Sequence, residues 1–540
     1  MGQIRTQLQT EHLWWQQGVI YQIYPRSFQD SDGDGIGDLT GIISRLDYLH
    51  WLGIDCIWLS PIFPSPMADF GYDISDYEGI HPLFGKMEDF DELLREVHSR
   101  GMKLLLDLVP NHTSDQHPWF LESRSSRDNA KRDWYIWHNR RPDGSLPNNW
   151  LSVFGGHAWE WDETTQQYYY HAFLKEQPDL NWRNPEVQQA MLDAMRFWLE
   201  KGIDGFRVDV MWHMIKDGQF RDNPPFPGST FDADDLIYDH YIPVYSTDQP
   251  EVHDIVRMMR KLTDEYDERV LIGEIYLPVD KLVTYYGLDG KEAHLPFNFQ
   301  LLMLPWDPTQ IAMAIDEYEG ALPDQGWPNW VLSNHDRPRI SSRIGSSQAK
   351  IAAMLLLTLR GTPTIYYGDE IGMCDVPIPM DEIVDPQGLH APDLNVSRDP
   401  ARTPMQWDEK FNAGFSTHKP WLRLPYNSGR VNVKMQKKDP YSALSFYRTL
   451  IALRKEHPAL HVGSYSLVYS DSQLISYIRK HEDMRFLVIL NLSHRPGYFK
   501  PKTEVYKGVV IFGTENERAG MQVEGIITLG GDEGLLIRLE

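Results

Sequence analysis

The segment 205–210, which reads GFRVDV, places two charged side chains in an otherwise apolar run. Side chains alternate across a strand, so Arg207 and Asp209 would share one face, about 6.7 Å apart along it at roughly 3.3 Å per residue. An arginine at that distance can hydrogen-bond the Asp209 carboxylate, orient it and keep it ionised, which suits a nucleophile. A purely structural ion pair explains this segment equally well.

Three other apolar runs also end in acidic or histidine side chains. Glu274 interrupts the run 270–276, and a carboxyl group in an apolar wall tends to have the raised pKa that suits a general acid. One further run leads into His335 and Asp336, and another into the sequence DLVPNH, which ends at His112. Each could be structural by itself, but together they indicate a single pocket.

The elements that would position these side chains are short β-branched runs that alternate with amphipathic helical patterns. Such alternation is typical of βαβ units, and eight runs favour a closed (β/α)8 TIM barrel of the α/β class over an open sheet. Barrel enzymes carry their chemistry at the carboxyl ends of the strands, where the charged residues occur here. The predicted strands are residues 19–24, 54–60, 103–109, 205–210, 270–276, 294–299, 330–334 and 364–367.

Two regions depart from this alternation. Residues 111–176, which follow the third predicted strand, are rich in Trp, Asn, Arg and Gly, so we expect an inserted small domain. The last 80 or so residues contain strand patterns joined by Gly, Asp and Asn turns, which predict a C-terminal antiparallel β domain. We therefore predict a barrel from residues 1–110 and 177–458, an inserted domain over 111–176 and a C-terminal domain over 459–540, with strands at 474–479, 486–492, 508–512 and 535–539.

Composition narrows the class of protein. Of 540 residues, 41% are hydrophobic and 24% charged, as in a globular protein with a large core. The net charge of −25 disfavours nucleic acid and anionic membranes as partners. Two cysteines exclude a disulfide framework. Because we find neither a signal-peptide pattern nor an apolar run of membrane-spanning length, the expected location is the cytoplasm.

An acidic loop follows the first predicted strand. Asp30, Asp32 and Asp34 alternate and Gly35 follows, which is the start of a calcium-loop spacing. The twelfth position is Gly41 instead of glutamate, so the loop is not an EF-hand. A solvated acidic turn is the alternative interpretation.

The ordered set of segments resembles the α-amylase superfamily, glycoside hydrolase family thirteen, over almost the whole chain. Two further segments resemble the branch that includes oligo-1,6-glucosidases, α-glucosidases, sucrose isomerases and trehalose synthases. The superfamily segments are DLVPNH at 107–112, GFRVD at 205–209, GE at 273–274 and NHD at 334–336, and the branch segments are QPDLN at 177–181 and ARTPMQW at 401–407.

The resemblance implies three catalytic carboxylates. Asp209 would be the nucleophile that forms a β-glucosyl ester, and Glu274 the acid that later acts as base. Asp336 would bind the 2- and 3-hydroxyls of the sugar and stabilise the transition state.

The resemblance also implies a substrate-binding set and a structural Ca²⁺. Arg207 would orient Asp209, while Tyr72 would stack under the glucose ring. A pair in exo-acting relatives, matched here by Asp69 and Arg398, would hold the 4-hydroxyl of the non-reducing end and close the pocket behind the first sugar. His112 and His335 would hydrogen-bond the same glucose, and the ligands of the Ca²⁺ would be Asp30, Asp32, Asp34, Asp38 and the carbonyl of Ile36.

The expected activity is that of a retaining exo-acting α-glucosidase, which releases glucose from short α-glucosides through a glucosyl-Asp209 intermediate and can also transfer it. Val210, the residue after the nucleophile, favours α-1,6 linkages slightly. An intramolecular glucosyl transferase or isomerase is the alternative, although residues 298–330 contain no Arg-rich isomerase loop. A non-catalytic binding module is disfavoured because all three carboxylates are present. We expect a disaccharide or short oligosaccharide as partner, and a monomer or small homo-oligomer.

Overall fold

The computed structural model describes residues 12–228, 236–392, 396–501 and 504–540. Its central feature is a sheet of eight parallel strands in which the seventh and eighth strands pair next to the first. A parallel bridge between Asn298 and Trp330 joins the sixth strand region to the seventh, so the sheet closes. The predicted (β/α)8 barrel is confirmed. The barrel strands are Ile20–Ile23, Cys56–Leu59, Lys103–Leu108, Gly205–Val208, Val270–Gly273, Leu295–Pro296, Asn329–Val331 and Thr362–Tyr366.

Several strands are shorter than predicted at the end that carries the polar residues. The fourth strand ends at Val208, so Asp209 is the first residue beyond it. The next residue, Val210, has a φ of 35°, which turns the chain out of the strand. The sixth strand is reduced to Leu295–Pro296.

The helices around the barrel follow the expected helical spacing. In Met87–Ser99, the side chains of Phe90, Leu93, Leu94 and Val97 are buried. Arg100 ends this helix and Gly101 has a φ of 71°, as the glycine stop signal predicts. The other helices of ten or more residues are Pro185–Lys201, Val252–Thr263, Pro308–Ala321, Ala349–Thr358 and Ala443–Glu456.

Shorter helices complete the shell. They connect strands or border the open end of the barrel. Their bounds are Trp14–Gln17, Pro25–Phe28, Leu39–Ser44, Leu46–Leu52, Pro118–Ser125, Val279–Leu282, Gln300–Met303, Ile340–Ile344, Pro386–His390, Val433–Gln436 and Pro458–His461.

A small antiparallel sheet lies between the third and fourth barrel strands. Its strands are Trp137–His138, Trp159–Asp162 and Gln167–Tyr170, with the last of these in the centre. Trp150 packs with Trp159 and Tyr170 into an aromatic cluster of its own. The tryptophans of this region therefore form a core, whereas the limits 111–176 for an inserted domain remain a prediction.

The C-terminal region is antiparallel, as predicted. A six-stranded sheet contains Ser464–Ser470, Leu474–His481, Met484–Asn491, Gly534–Leu539, Lys507–Gly513 and Gln522–Glu524 in that spatial order, and Gly497–Phe499 pairs with Ile527–Leu529. The four strands with strong apolar patterns match the predicted ones. The additional four are short or lie at an edge, so their sequences show no clear alternation of buried positions. No helix within the described ranges is both long and apolar enough to cross a bilayer.

Candidate active site

Arg207 is the centre of the site. Its position on the fourth strand pairs in register with Asp107 on the third, so both side chains project from neighbouring strands. Arg207 Nη1 donates to Asp107 Oδ1 at 2.7 Å and to Asp209 Oδ1 at 2.8 Å. Its other terminal nitrogen, Nη2, lies 2.8 Å from Glu274 Oε2. One buried guanidinium thus bridges the proposed nucleophile and the proposed acid.

Backbone hydrogen bonds hold Asp209 and Glu274 at the ends of adjacent strands. The amide of Asp209 donates to the carbonyl of Leu108 at 2.8 Å, and the amide of Glu274 to that of Val208 at 2.9 Å. The turn at Val210 directs its amide at Glu274 Oε2, 2.9 Å away. The two carboxyl groups are therefore fixed relative to each other by strand geometry as well as by Arg207.

Burial governs the protonation of this carboxyl pair. Desolvation raises the pKa of Asp209 well above its usual range, and the nearby Glu274 adds to this while Arg207 opposes it. Desolvation also raises the pKa of Glu274, again against Arg207. Because both groups are buried and adjacent, ionisation of either one disfavours ionisation of the other, and they titrate as a pair. In the free site, burial thus opposes Arg207, which the sequence argument expected to keep Asp209 ionised, and the pKa of Glu274 shifts in the expected direction.

Asp336 lies against Arg398, Arg402 and His335 and has the opposite behaviour. Its Oδ1 accepts from Arg402 Nη2 at 3.1 Å and from Arg398 Nη1 at 3.4 Å, and its Oδ2 is 3.3 Å from His335 Nε2. Burial alone would raise the pKa of Asp336, but these neighbours hold it below the usual range. Asp336 is therefore the carboxylate that stays ionised across the ordinary pH range.

The two predicted sugar-binding histidines are buried and held in place. His335 stacks on Tyr72 with ring centroids 5.4 Å apart, and its Nε2 is 2.7 Å from the Tyr72 hydroxyl. His112 Nε2 is 3.0 Å from the Tyr72 carbonyl oxygen. Burial lowers the pKa of His112 to about 4 and that of His335 to about 3, so both are neutral at pH 7.

The proposed chain-end pair is also in contact. Arg398 Nη2 donates to Asp69 Oδ1 at 2.6 Å, and both side chains are buried. Gln177 Nε2 donates to the other oxygen of Asp69 at 3.4 Å. The structure thus brings Asp69 and Arg398 together, while their role remains a prediction.

The predicted site residues other than the deeply buried Arg207 line one pocket of about 1190 Å³. Its outer wall is aromatic: Tyr276 and Phe299 stack with centroids 4.2 Å apart, and Trp212 lies beside Tyr276. The predicted site residues that line the pocket are Asp69, Tyr72, His112, Asp209, Glu274, His335, Asp336 and Arg398.

The acidic loop after the first strand only partly forms the predicted calcium cluster. Carboxylate oxygens of Asp30, Asp32 and Asp38 lie within 4.8 Å of one another, and Asp34 is not part of this group. Asp30 accepts from the amides of Gly33 at 2.6 Å and of Gly35 at 2.8 Å, which curves the loop around its carboxylate. Oxygen ligands on such a loop fit a hard cation such as Ca²⁺.

Sequence reasoning assigned no role to four residues that shape the site. Asp107 accepts from Arg207, Tyr72 and Trp58, and burial raises its pKa to about 6. For three of them the signal was available, since Asp107, Gln177 and Arg402 lie in the segments that carry the resemblance, whereas Asp385 lies outside these segments. The four residues are Asp107, Gln177, Asp385 and Arg402.

Comparison with known proteins agrees with this geometry. The family model of the alpha-amylase catalytic domain matches residues 22–463. A probable alpha-glucosidase of Rhizobium meliloti is 42% identical over 90% of each chain. An oligo-1,6-glucosidase of Parageobacillus thermoglucosidasius is 41% identical over 92% of this chain and 94% of its own.

Solved structures give the same assignment. An alpha-glucosyl transfer enzyme, XgtA, superposes with a TM-score of 0.92 at 40% identity over 98% of this chain and all of its own. The trehalulose synthase MutB of Pseudomonas mesoacidophila does so with a TM-score of 0.90 at 36% identity, over 98% of this chain and 99% of its own. The chain belongs to the alpha-amylase family of glycoside hydrolases, in the branch of the α-glucosidases and oligo-1,6-glucosidases.

Proposed function

We propose that the protein is a retaining, exo-acting α-glucosidase that releases glucose from the non-reducing end of short α-glucosides. One observation carries the proposal: Asp209 and Glu274 are bridged by a single guanidinium in the same pocket that contains the Asp69–Arg398 pair. Retention requires carboxyl groups about 5–5.5 Å apart, and a shared guanidinium favours this close spacing over the wider one of inverting enzymes.

In the proposed reaction, Glu274 protonates the glycosidic oxygen while Asp209 attacks the anomeric carbon. The aglycone leaves and a glucosyl ester forms on Asp209. Glu274, now ionised, takes a proton from water, which attacks the ester and restores both carboxyl groups. The proton that burial retains on the pair is the one that the first step consumes.

The neighbouring groups support the same steps. Asp336 remains ionised and would accept hydrogen bonds from the 2- and 3-hydroxyls, which strengthen as positive charge develops on the ring. Neutral His112 and His335 would hydrogen-bond the same glucose without adding charge. Arg398 and Asp69 offer a donor and an acceptor for the 4-hydroxyl, and this would limit the enzyme to chain ends.

The test is incubation with maltose, isomaltose, trehalose, sucrose and starch. We expect glucose from maltose or isomaltose and no attack on starch, with the α-anomer of glucose appearing first by NMR. First appearance of β-glucose would overturn retention, and rapid fragmentation of starch would overturn exo action.

A second candidate is glucosyl transfer to another sugar hydroxyl, within the same substrate or to a second molecule. It is supported by the likeness to a trehalulose synthase and to a glucosyl transfer enzyme, together with the aromatic wall of Tyr276 and Phe299, which could hold an acceptor in place of water. Conversion of sucrose mainly into an isomeric disaccharide, with little free glucose, would favour this activity over hydrolysis.

We also propose that the acidic loop binds one structural Ca²⁺ through Asp30, Asp32 and Asp38, with Asp34 and the Ile36 carbonyl completing the site. Asp38 caps the helix Leu39–Ser44 by accepting from the amide of Gly41 at 2.7 Å. A cation there would supply positive charge to the loop and hold the start of that helix.

A further inference from the structure

Arg398 is held by the carboxylate of Asp385, which has no assigned role. Asp385 is fully buried, and its Oδ1 accepts from Arg398 Nε at 2.9 Å and from Nη2 at 2.6 Å. Its Oδ2 accepts from the backbone amide of Arg398 at 2.7 Å. One side chain thus fixes both the main chain and the guanidinium of the residue proposed to recognise the chain end.

The connection runs in both directions. Asp399, which follows Arg398, accepts from the amides of Val384 at 2.8 Å and of Asp385 at 3.0 Å through its Oδ2. Residues 384–385 and 398–399 are therefore tied by reciprocal carboxylate-to-amide bonds. This tie is local to the pocket wall, because Ser397 and Arg398 both line the pocket.

The tie determines what Arg398 can present to a sugar. Asp385 occupies Nε and one direction of Nη2, and Asp69 Oδ1 occupies the other direction of Nη2. Nη1 is left with a single long contact of 3.4 Å, to Asp336 Oδ1. A guanidinium held on one edge directs its remaining edge at a fixed angle, which a flexible side chain cannot do.

Charge supports the same assignment. Without Asp385, Arg398 would face Asp336 and Asp69 alone, and it could swing toward Asp336 to form a closer pair. That movement would take donors away from Asp69.

We infer that Asp385 is a positioning residue for chain-end recognition: it holds Arg398 against Asp69 so that the pair reads the 4-hydroxyl of the terminal glucose. The inference rests on the proposed exo-α-glucosidase function.

The experiment compares p-nitrophenyl α-glucoside with its 4-deoxy analogue, using kcat/KM from release of p-nitrophenolate. The wild type should prefer the 4-hydroxyl substrate. Asp385→Asn keeps the size of the side chain but removes its charge, and it should lower kcat/KM for the 4-hydroxyl substrate at least about tenfold, as expected when one partner of a buried charge pair is lost. The 4-deoxy analogue should lose less than about threefold, since it makes no bond that Arg398 could lose.

Glu319→Gln is the matched control. It removes one charge from another partly buried pair, Glu319 with Arg360 at 2.8 Å, on a helix that does not line the pocket. It should lower stability and leave the ratio of the two kcat/KM values unchanged. A purely structural role for Asp385 would give the same result as this control, with both substrates affected equally, and that result would overturn the inference.

Asp385→Glu covers the case in which the asparagine variant does not fold. The charge remains, but the longer side chain cannot reach the amide and the guanidinium from the same position, so the ratio should lie between those of the wild type and the asparagine variant. A wild-type ratio in a folded Asp385→Glu or Asp385→Asn enzyme contradicts the inference. A wild type that cleaves neither substrate contradicts the proposed function instead.

Discussion

Arg207 in the active site and Arg454 at the junction of barrel and C-terminal region are equally buried but differently satisfied. Arg207 binds three carboxylates, whereas Arg454, on the helix Ala443–Glu456, donates to the carbonyl oxygens of Leu357, Leu359, Gly361 and Leu460. Burial disfavours the charge of both, but the carboxylates raise the pKa of Arg207 well above its usual range while that of Arg454 falls to about 10.

The difference separates two uses of a buried cation. At the junction, the carbonyls follow a helix end, so the arginine completes the backbone hydrogen bonding and carries no proton chemistry. Arg479 repeats this arrangement from the strand Leu474–His481, with bonds to carbonyls at Thr358, Leu460 and Gly463. In the pocket, the partners are carboxyl groups that can gain and lose protons, so Arg207 lowers the pKa of both Asp209 and Glu274 against the effect of burial.

The largest effect should come from the nucleophile. Asp209→Asn should lower kcat by about 10⁴-fold or more, because an amide cannot form the glucosyl ester. The measurement is steady-state hydrolysis of p-nitrophenyl α-glucoside, with circular dichroism to verify the fold. Activity within tenfold of the wild type would remove Asp209 from its assigned role.

The proposed acid, Glu274, should determine the alkaline limb of the pH profile. The kcat/KM of the wild type should rise with pH as the carboxyl pair loses its first proton. It should fall again at a pH above the ordinary pKa of a glutamic acid, where the raised pKa of Glu274 is passed. Glu274→Gln should lower the activity about 10²–10⁴-fold. For an aryl glucoside, whose leaving group needs little protonation, it should also remove the alkaline limb of the pH profile. An unchanged alkaline limb in this variant would assign that limb to another group.

At the junction of barrel and C-terminal region, replacement of the buried arginine should affect only stability. Arg454→Met should lower the free energy of unfolding by about 3 kcal/mol, since several buried carbonyls lose their donor. Urea denaturation measures this loss, and the pH profile of kcat/KM should not move. A shifted profile would mean that the junction is coupled to the pocket and would break the comparison.

The smallest effect should come from the acidic loop, whose carboxylates have no buried arginine as partner. Removal of Ca²⁺ by a chelator should lower the free energy of unfolding by about 1–3 kcal/mol, the range expected for a ligand near 100 times its Kd. Metal analysis should find one calcium per chain, and Asp30→Asn should abolish the response. A chelator that changes neither metal content nor melting temperature would refute the site.

Strand alternation and strand ends, which are local features, predicted the barrel and the polar residues at its strand ends, whereas Asp69, Tyr72 and Arg398 were predicted from the resemblance alone. The sequence could not predict the network around them. That Asp385 grips Arg398 depends on a loop that returns after 13 residues, and that Gln177 reaches Asp69 depends on packing across the barrel. The raised pKa of Asp209 was also beyond the sequence, since burial by distant elements opposes the neighbouring Arg207.

Val210 connects the backbone turn after the fourth strand with the hydrogen bonding of Glu274. Its backbone is in a region that a β-branched residue rarely adopts, and its amide donates to the oxygen of Glu274 that also contacts Arg207. A substitution at 210 made to change linkage preference would also relax or tighten this turn. Variants selected there for a new linkage should therefore have an altered alkaline limit of activity, so screens at a single pH would discard enzymes whose only defect is a displaced optimum.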